Sequence, residues 1–532
     1  MAREWNPAVQ VSPTETKILK LCKKQKLWGF LRSHRHQLID DEVRSALAAM
    51  YASSGRGRPV CPERLALAML LQVAFHVADH EVPTLTALDR RWRMVLDCLD
   101  ADLDEAAFSQ GTVYHFRERA RSQGFMRLLL DKTIRLAEET GGFSHKRLRV
   151  MIDSSPLLGA GRVEDTFNLI GRALAQLVTV AAVQSGRDEE ALVEELELTV
   201  VSGQSVKAAL DVDWRLPSAR SEALAMLLQQ FERVREWLKE TFTDEQLVGP
   251  PIGEAVDLVE RLIEQDTDPD PDDPDGARRS MRQGGEDRQV SISDPDMRHG
   301  RKSKTRLFVG YKRHVAVDAD IQGLVRAVQV LPGNSREYDA ADALLQGTER
   351  GDREIAELHF DRGYLPADAI HQRRGAGMRI LSKPPTPPRM KGGRFSKRDF
   401  DIDMERRAVT CPAGVSQAIS GTAERAYAAF SAKTCGGCTL AEQCLPKSGR
   451  RVVSLHRHEA LHQAMAAELA TPRGRAARRE RVRVEHALAR LGATQGNRAR
   501  YRGLEKNQAH AEASAVVTNL YVLDRLYANP TC

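Results

Sequence analysis

At residue 147 the chain changes its period. Before that point apolar residues recur at helical spacing, as in "PERLALAMLLQVAFHVADHEV", where Leu65, Ala68, Met69, Leu71, Val73 and Val77 fall on one buried stripe. After it, "KRLRVMIDSS" alternates Leu148, Val150 and Ile152 with Arg147, Arg149 and Met151. That two-residue period is a strand, expected to end at Asp153 before the small polar residues Ser154 and Ser155 and the proline Pro156. A second alternating region follows from about residue 305. "FVGYKRHVAVDAD" and "GLVRAVQVL" read as a hairpin around Asp320–Gly323, and "AELHFDRGY" and "MRILSKPP" as two further strands. Helical segments, "REYDAADALLQGTER" and "ADAIHQRRGAG", lie between them. A chain patterned this way is expected to be α/β, a mixed sheet flanked by helices.

The same reading divides the chain. Residues 1–36 are a basic arm, with Lys17, Lys20, Lys23, Lys24, Lys26, Arg32 and Arg35 opposed only by Glu4 and Glu15. Residues 37–145 form a helical domain. It includes a short helical hairpin at 105–121, with Ser109 or Thr112 as its N-cap. Residues 146–165 hold the first strand. Residues 166–304 are a helical insertion that ends in the acidic run "EQDTDPDPDDPD", which cannot pack a core. Residues 305–384 resume the sheet, 385–470 are loop-rich and hold a cysteine cluster, and 471–532 are C-terminal helices.

Net charge over the 532 residues is only +6, but it is unevenly placed. Basic blocks within a near-neutral chain point to a polyanion partner, most often nucleic acid. No run of about twenty apolar residues suggests a membrane span, and "MAREWNPAVQ" lacks the apolar core of a signal peptide. A cytoplasmic location without membrane association is therefore expected.

Three acids stand out by position. Asp153 and Asp361 end strands, and Glu485 lies on a helix within "RVRVEHALARLGATQGNRARYRG", its single acid among six arginines. Rigid platforms of this kind can bring carboxylates to one sheet edge. Three converging carboxylates can hold two Mg²⁺ or Mn²⁺ ions for phosphoryl transfer. Taken singly, each has a plainer role. An Asp at a strand end commonly forms a turn or cap, and Glu485 could pair with Arg481 one turn earlier. Asp318, Asp294 and Asp296 read as turn or cap residues.

In combination, "VMIDSS", "GYKRHVAVD", "GLVRAVQVLPGNSREYDAADALL", "LHFDRGY" and "RVRVEHALARLGATQGNRARYRGLEKNQ" resemble the bacterial insertion-sequence transposases of the DDE superfamily, with the eleven-eighty-two group as the best match. "ISDPDMRHG" and the helical stretch before residue 140 share this resemblance, which spans roughly residues 40–530. It implies a ribonuclease H-like catalytic fold, and Asp153, Asp361 and Glu485 as catalytic residues and ligands of Mg²⁺ or Mn²⁺. It also implies cleavage at the ends of a mobile element, with joining of the 3′ ends to target DNA. A dimer or higher oligomer on DNA is expected. Related enzymes carry a Tyr-Arg-Glu-Lys signature around the third acid. Arg481 fits its Arg place, whereas Arg478 and Gly492 stand at the Tyr and Lys places. Arg490, Arg498 and Arg500 are the candidates to replace the lysine. Two other readings compete: a non-catalytic DNA-binding protein of transposase descent, and a plain metal-dependent nuclease.

Cys411, Cys435, Cys438 and Cys444 are the only clustered cysteines of eight. "CGGC" has the shape of a zinc knuckle, and the outer pair could complete a four-thiolate structural zinc site. Ordinary reduced thiols, or an iron–sulfur or redox role, also fit the spacing. Similar clusters occur in the resembling transposases.

DNA contacts are expected from Arg481, Arg490, Arg498, Arg500, Arg502 and Lys506, from Lys312, and from the basic arm. Tyr501 is placed for stacking on a frayed end or for core packing. Recognition of the terminal inverted repeats is expected from the helical domain, with Arg117, Arg119 and Arg121 near its hairpin, so deletion of residues 1–140 should abolish specific binding.

Overall fold

The computed structural model describes residues 5–51, 61–102, 108–141, 146–201, 205–269, 279–282, 284–303, 305–385, 387, 393–445 and 449–529. The strand that begins at Arg147 does not stop at Asp153. β1 (Arg147–Leu158) continues for five residues because its antiparallel partner is equally long, with register from Val150↔Asp318 to Leu158↔Gly310. Long-range pairing overrides the local turn signal of Ser154, Ser155 and Pro156. Asp153 is therefore a mid-strand residue opposite Val315.

The central sheet has six strands. After β1 come β2 (Arg298–Arg301), β3 (Leu307–Asp318), β4 (Val325–Pro332), β5 (Glu354–His359) and β6 (Arg379–Leu381). β3 pairs antiparallel with β1, and β4 and β2 pair antiparallel with the other side of β3. β5 joins the free side of β1 in parallel, and β6 joins β5 in parallel. This mixed order is compatible with a ribonuclease H-like fold. The 305–332 hairpin and the strands at 354–359 and 379–381 lie where their alternation predicts.

Alternation along β1 assigns its faces. Leu148, Val150 and Ile152 pack with Ala316, Ile355 and Leu358 in one core, against Leu344 and Leu345. Met151 and Leu157 face the opposite core with Val315 and Val317. Asp153 and Ser155 share this second face, because side chains two apart on a strand point the same way.

That second core is continuous with the N-terminal helices, and residues 13–38 are not an arm. α1 (Pro13–Leu21) is capped by a reciprocal Ser12–Glu15 box. α2 (Lys26–Leu38) buries Leu27, Trp28, Phe30 and Leu31. Arg32 pairs with Glu15, and Arg35 pairs with Asp97 at 2.6 Å, both within the packed interior. Lys17, Lys20, Lys23, Lys24 and Lys26 remain exposed. α3 (Pro62–Phe75), α4 (Gln110–Ser122) and α5 (Phe125–Thr140) belong to the same layer. Ser109 caps α4 through its Oγ. Gln110–Ser122 form one helix, and the start of the expected hairpin, within residues 103–107, lies outside the described residues. Because one apolar cluster runs from Trp5 to Leu526, deleting residues 1–140 would strip a face of the sheet rather than detach a binding module.

The insertion has its own core. α6 (Thr166–Ser185), α7 (Pro217–Thr241) and α8 (Ile252–Asp266) bury Leu174, Leu177, Leu227, Phe231, Val259 and Leu262 together. Among the described residues α6 alone is long and apolar enough to cross a membrane by length and composition. Most of its apolar residues pack in this core. The second half of the acidic run, residues 270–275, lies outside the described residues.

After β4 comes α9 (Ala341–Thr348). The cysteine segment forms short strands around a small core of Phe400, Val409, Ile419, Phe430, Val453 and Leu455. The arginine-rich segment divides into α10 (Pro472–Glu480) and α11 (Val482–Gln495), with Arg481 at the joint, followed by α12 (Leu504–Ala528). α11 lays Val484, Ala487, Leu488 and Leu491 into the core on Asp153's face of the sheet.

Candidate active site

Asp153 projects from the middle of β1. The Ser154 N–H donates to its Oδ1 at 2.8 Å, fixing the carboxylate against the strand. Asp361 lies two residues past the end of β5, the strand parallel to β1, so both acids reach the same edge. Arg481 meets them there. Its Nη2 is 3.4 Å from Asp153 Oδ2, and its Nη1 is 3.4 Å from Asp361 Oδ1. The expected Arg481–Glu485 pair is not formed among the described residues. Arg481, at a helix joint, turns toward the sheet, and Glu485 stands exposed on the first turn of α11. Burial pushes the Asp153 carboxyl above its usual range. The Ser154 N–H and Arg481 oppose the shift, and the negative charges of Asp361 and Glu485 add to it. All three predicted acids thus share one electrostatic neighbourhood.

A fourth carboxylate belongs to it. Glu337 opens the short 3₁₀ turn Glu337–Ala340 after β4. Ser154 Oγ donates to its Oε1 at 3.4 Å. Gly363, with φ of +112°, leaves room for it, since a Cβ there would fall 2.7 Å from Glu337 Oε2. Burial raises the Glu337 carboxyl, Asp153 and Asp361 raise it further, and Lys312 and Ser154 counter. Sequence reasoning missed this residue because an acid at a helix start is ordinarily a dipole partner. The legible trace was the glycine after Asp361 in "DRGY".

Below the carboxylates lies a layer built from the other motif residues. His314 Nδ1 meets the Tyr364 hydroxyl at 3.0 Å. Burial drives the His314 pKa down to about 3, so the ring is neutral. Tyr364 is pushed well above the ordinary phenol range by burial and then by Glu337. Lys312 does not project freely toward a ligand: its Nζ donates to Ser335 O at 2.6 Å.

The basic residues separate into engaged and open ones. Arg498 donates to Gly159 O at 3.0 Å, and Arg500 donates to Val77 O and lies 3.9 Å from Asp79. Tyr501 is packed beneath Arg117, whose guanidinium carbon is 5.2 Å from its ring centre, so packing is the role the structure gives it. Arg117 pairs with Asp79, Arg121 with Glu118 and Glu505, and Arg119 covers Tyr51. These three brace the helical layer. Arg490, Arg502 and Lys506 are exposed and make no ion pair among the described residues.

The donor chemistry at this edge is hard carboxylate oxygen, which suits Mg²⁺ or Mn²⁺. Arg481 already sets positive charge between two of the acids. Among the described residues, no group of three or more His, Cys, Asp or Glu side chains is drawn together closely enough to hold a metal ion. Cys411, Cys435, Cys438 and Cys444 are free thiols around one small pocket in the cysteine segment, residues 385–470. The Leu440 N–H reaches Cys438 Sγ at 3.4 Å.

No curated protein and no solved structure matches the chain. A family model described as the transposase DDE domain matches residues 410–524, a stretch that holds the four cysteines, Arg481 and Glu485 but neither Asp153 nor Asp361. Together with the mixed sheet described above, that match supports counting the chain among the DDE-superfamily transposases.

Proposed function

We propose that the chain is an insertion-sequence transposase, of the eleven-eighty-two type it resembles, that cuts DNA at the ends of its element and joins the 3′ ends to target DNA. The observation that carries this reading is the meeting of Asp153 and Asp361 on one guanidinium that belongs to the helix joint four residues before Glu485. Asp153, Asp361 and Glu485 would hold Mg²⁺ or Mn²⁺. Such ions, when bound, sharpen a water or 3′-hydroxyl as nucleophile and support the leaving oxygen. The chain's own contributions are positional. Ser154 orients Asp153, Arg481 lies between Asp153 and Asp361 and faces the incoming phosphate, and Arg490, Arg502 and Lys506 offer open charge to the backbone. The enzyme would act in the bacterial cytoplasm, as two or more chains on paired DNA ends. We assign the four thiols of the cysteine segment to a structural zinc ion, supported by their shared pocket and the small core around them.

The test is incubation with DNA carrying the element's ends and Mg²⁺ or Mn²⁺. Cleaved and joined products are expected from the wild type and from none of Asp153→Ala, Asp361→Ala and Glu485→Ala. Wild-type cleavage by all three variants would refute the mechanism. Cleavage without joining would identify a nuclease, and binding without cleavage a DNA-binding protein.

A further inference from the structure

The hairpin formed by β2 and the first residues of β3 is a cationic ribbon at the edge of the sheet. Its segment, "RHGRKSKTRLFVG" at residues 298–310, contains Arg298, Arg301, Lys302, Lys304 and Arg306 and no acid. Arg298 pairs with Asp287 at 2.8 Å. Arg301, Lys302 and Arg306 are exposed, and among the described residues they make no ion pair and no side-chain hydrogen bond. The residue opposite Arg301 is Leu307, itself 66% exposed, so no carboxylate stands across the ribbon from it.

The ribbon is held in shape along its length. β2 pairs with β3 from Arg298↔Gly310 to Arg301↔Leu307. At the tip the Lys302 N–H donates to Arg306 O at 2.9 Å, and the Arg306 N–H donates to Ser303 Oγ at 3.1 Å. At the root Phe308 is buried over Gly300, where a Cβ would meet the ring and fall 2.6 Å from Gly333 O. Phe308 thus closes one face. Counting by twos along β3 from Val315, the partner of Asp153, reaches Leu307 on the other face. Arg301 and Leu307 therefore share the face of the sheet that bears Asp153.

β2 is the outermost strand, and charge on an edge strand guards against pairing with another chain. Either sign serves that purpose. Here every charge is positive, and Arg301, Lys302 and Arg306 are left without a counter-charge. Such an excess selects a polyanion. A two-stranded ribbon also has the width that the major groove of a duplex admits.

We propose that this ribbon is a second DNA-contacting surface, outside the carboxylate edge, on which Arg301, Lys302 and Arg306 take backbone phosphates of duplex DNA. This role rests on the transposase reading and extends it to an element other than the C-terminal helices that carry Arg490, Arg502 and Lys506. Contacts of this kind position the duplex without reading its sequence.

The experiment is equilibrium binding of the full chain to a labelled duplex across a salt series, with Arg301→Gln/Lys302→Gln/Arg306→Gln beside the wild type. Each phosphate contact contributes about 0.9 to the slope of log affinity against log salt, so this variant is expected to lower the slope by about 2.7. Arg215→Gln/Arg220→Gln/Lys239→Gln removes the same charge from exposed positions around α7 and is expected to leave the slope as it is. The wild type supplies a check that needs no substitution: bound duplex should protect Lys302 from an amine-acetylating reagent. An unchanged slope in the ribbon variant would overturn the proposal and leave its charges as an edge guard. An equal fall in the α7 variant would overturn it too, as would a Lys302 acetylated equally with and without duplex. The transposase reading fails separately: a wild type that neither cuts nor joins DNA carrying the element's ends would sink that reading, while the loss of slope in the ribbon variant would still stand.

Discussion

Arg481 Nη2 stands 3.4 Å from Asp153 Oδ2, and the same guanidinium reaches Asp361 through Nη1. A fixed cation between two acids competes with any metal they would bind. The Arg481 side chain is 19% exposed and Asp361 51% exposed, so solvent screening keeps that pair weak, on the order of 1 kcal/mol or less. Arg481→Ala should therefore tighten Mn²⁺ binding in the absence of DNA by about fivefold, as read by calorimetry or electron paramagnetic resonance. The same variant should lose DNA cleavage, because the phosphate then meets no guanidinium. Weakened Mn²⁺ binding in the variant would show that Arg481 assembles the site instead of competing for it.

A second prediction concerns the stability cost of the site. Burial and neighbouring charge raise the Asp153 carboxyl above its unfolded value. Between those two values the folded chain binds more protons than the unfolded one, so this group's contribution to stability falls as pH rises. At neutral pH the penalty is fully present. Asp153→Asn should melt at a higher temperature than the wild type at pH 7 without metal, and the gap should close as pH drops through the carboxylate range. A lower melting temperature for Asp153→Asn at pH 7 would mean that the Arg481 pair outweighs burial.

These two residues show what the sequence could and could not disclose. Strand periodicity located Asp153, and the rigid platform under Asp361 was legible from "LHFDRGY". The extension of β1 to Leu158 was not, because it depends on a partner strand about 150 residues away. Glu485 was found on its helix, but its expected pairing with Arg481 failed. A helical surface rule presumes an unbroken helix, and the chain breaks between α10 and α11 at Arg481 itself. The basic N-terminal residues misled for a related reason. Charge counting registers Arg32 and Arg35 as surface cations, yet partners brought by the fold, Glu15 and Asp97, allow both to be buried. Glu337 was hidden because only tertiary structure brings the start of a helix beside Asp153.

The glycine after Asp361 supplies a third prediction. Gly363 has φ of +112° and no space for a Cβ against Glu337 Oε2. Gly363→Ala must accept both a left-handed backbone and a clash. It should lose about 1–2 kcal/mol in urea unfolding and displace Asp361, two residues earlier. Combining it with Glu337→Ala removes the clash but not the backbone cost. Partial recovery in the double variant is expected, and no recovery would assign the whole loss to backbone strain.

The cysteine segment, an insertion at residues 385–470, offers a last prediction. Its buried apolar set is small, and a domain of this kind gains much of its order from a staple. The Cys444 thiol is raised by burial, with Arg451 opposing and the other three thiols adding to the shift, so the four sulfurs sense one another. A divalent cation would convert that mutual repulsion into attraction by binding the thiolates. Elemental analysis of the purified chain should find about one zinc per chain, and Cys435→Ser/Cys438→Ser should find none. Chelation should then expose residues 400–455 to protease while leaving the sheet protected, because the insertion core shares no buried residue with either face of the sheet. Zinc-free wild-type protein whose insertion resists protease equally with and without chelator would establish the cysteines as plain reduced thiols.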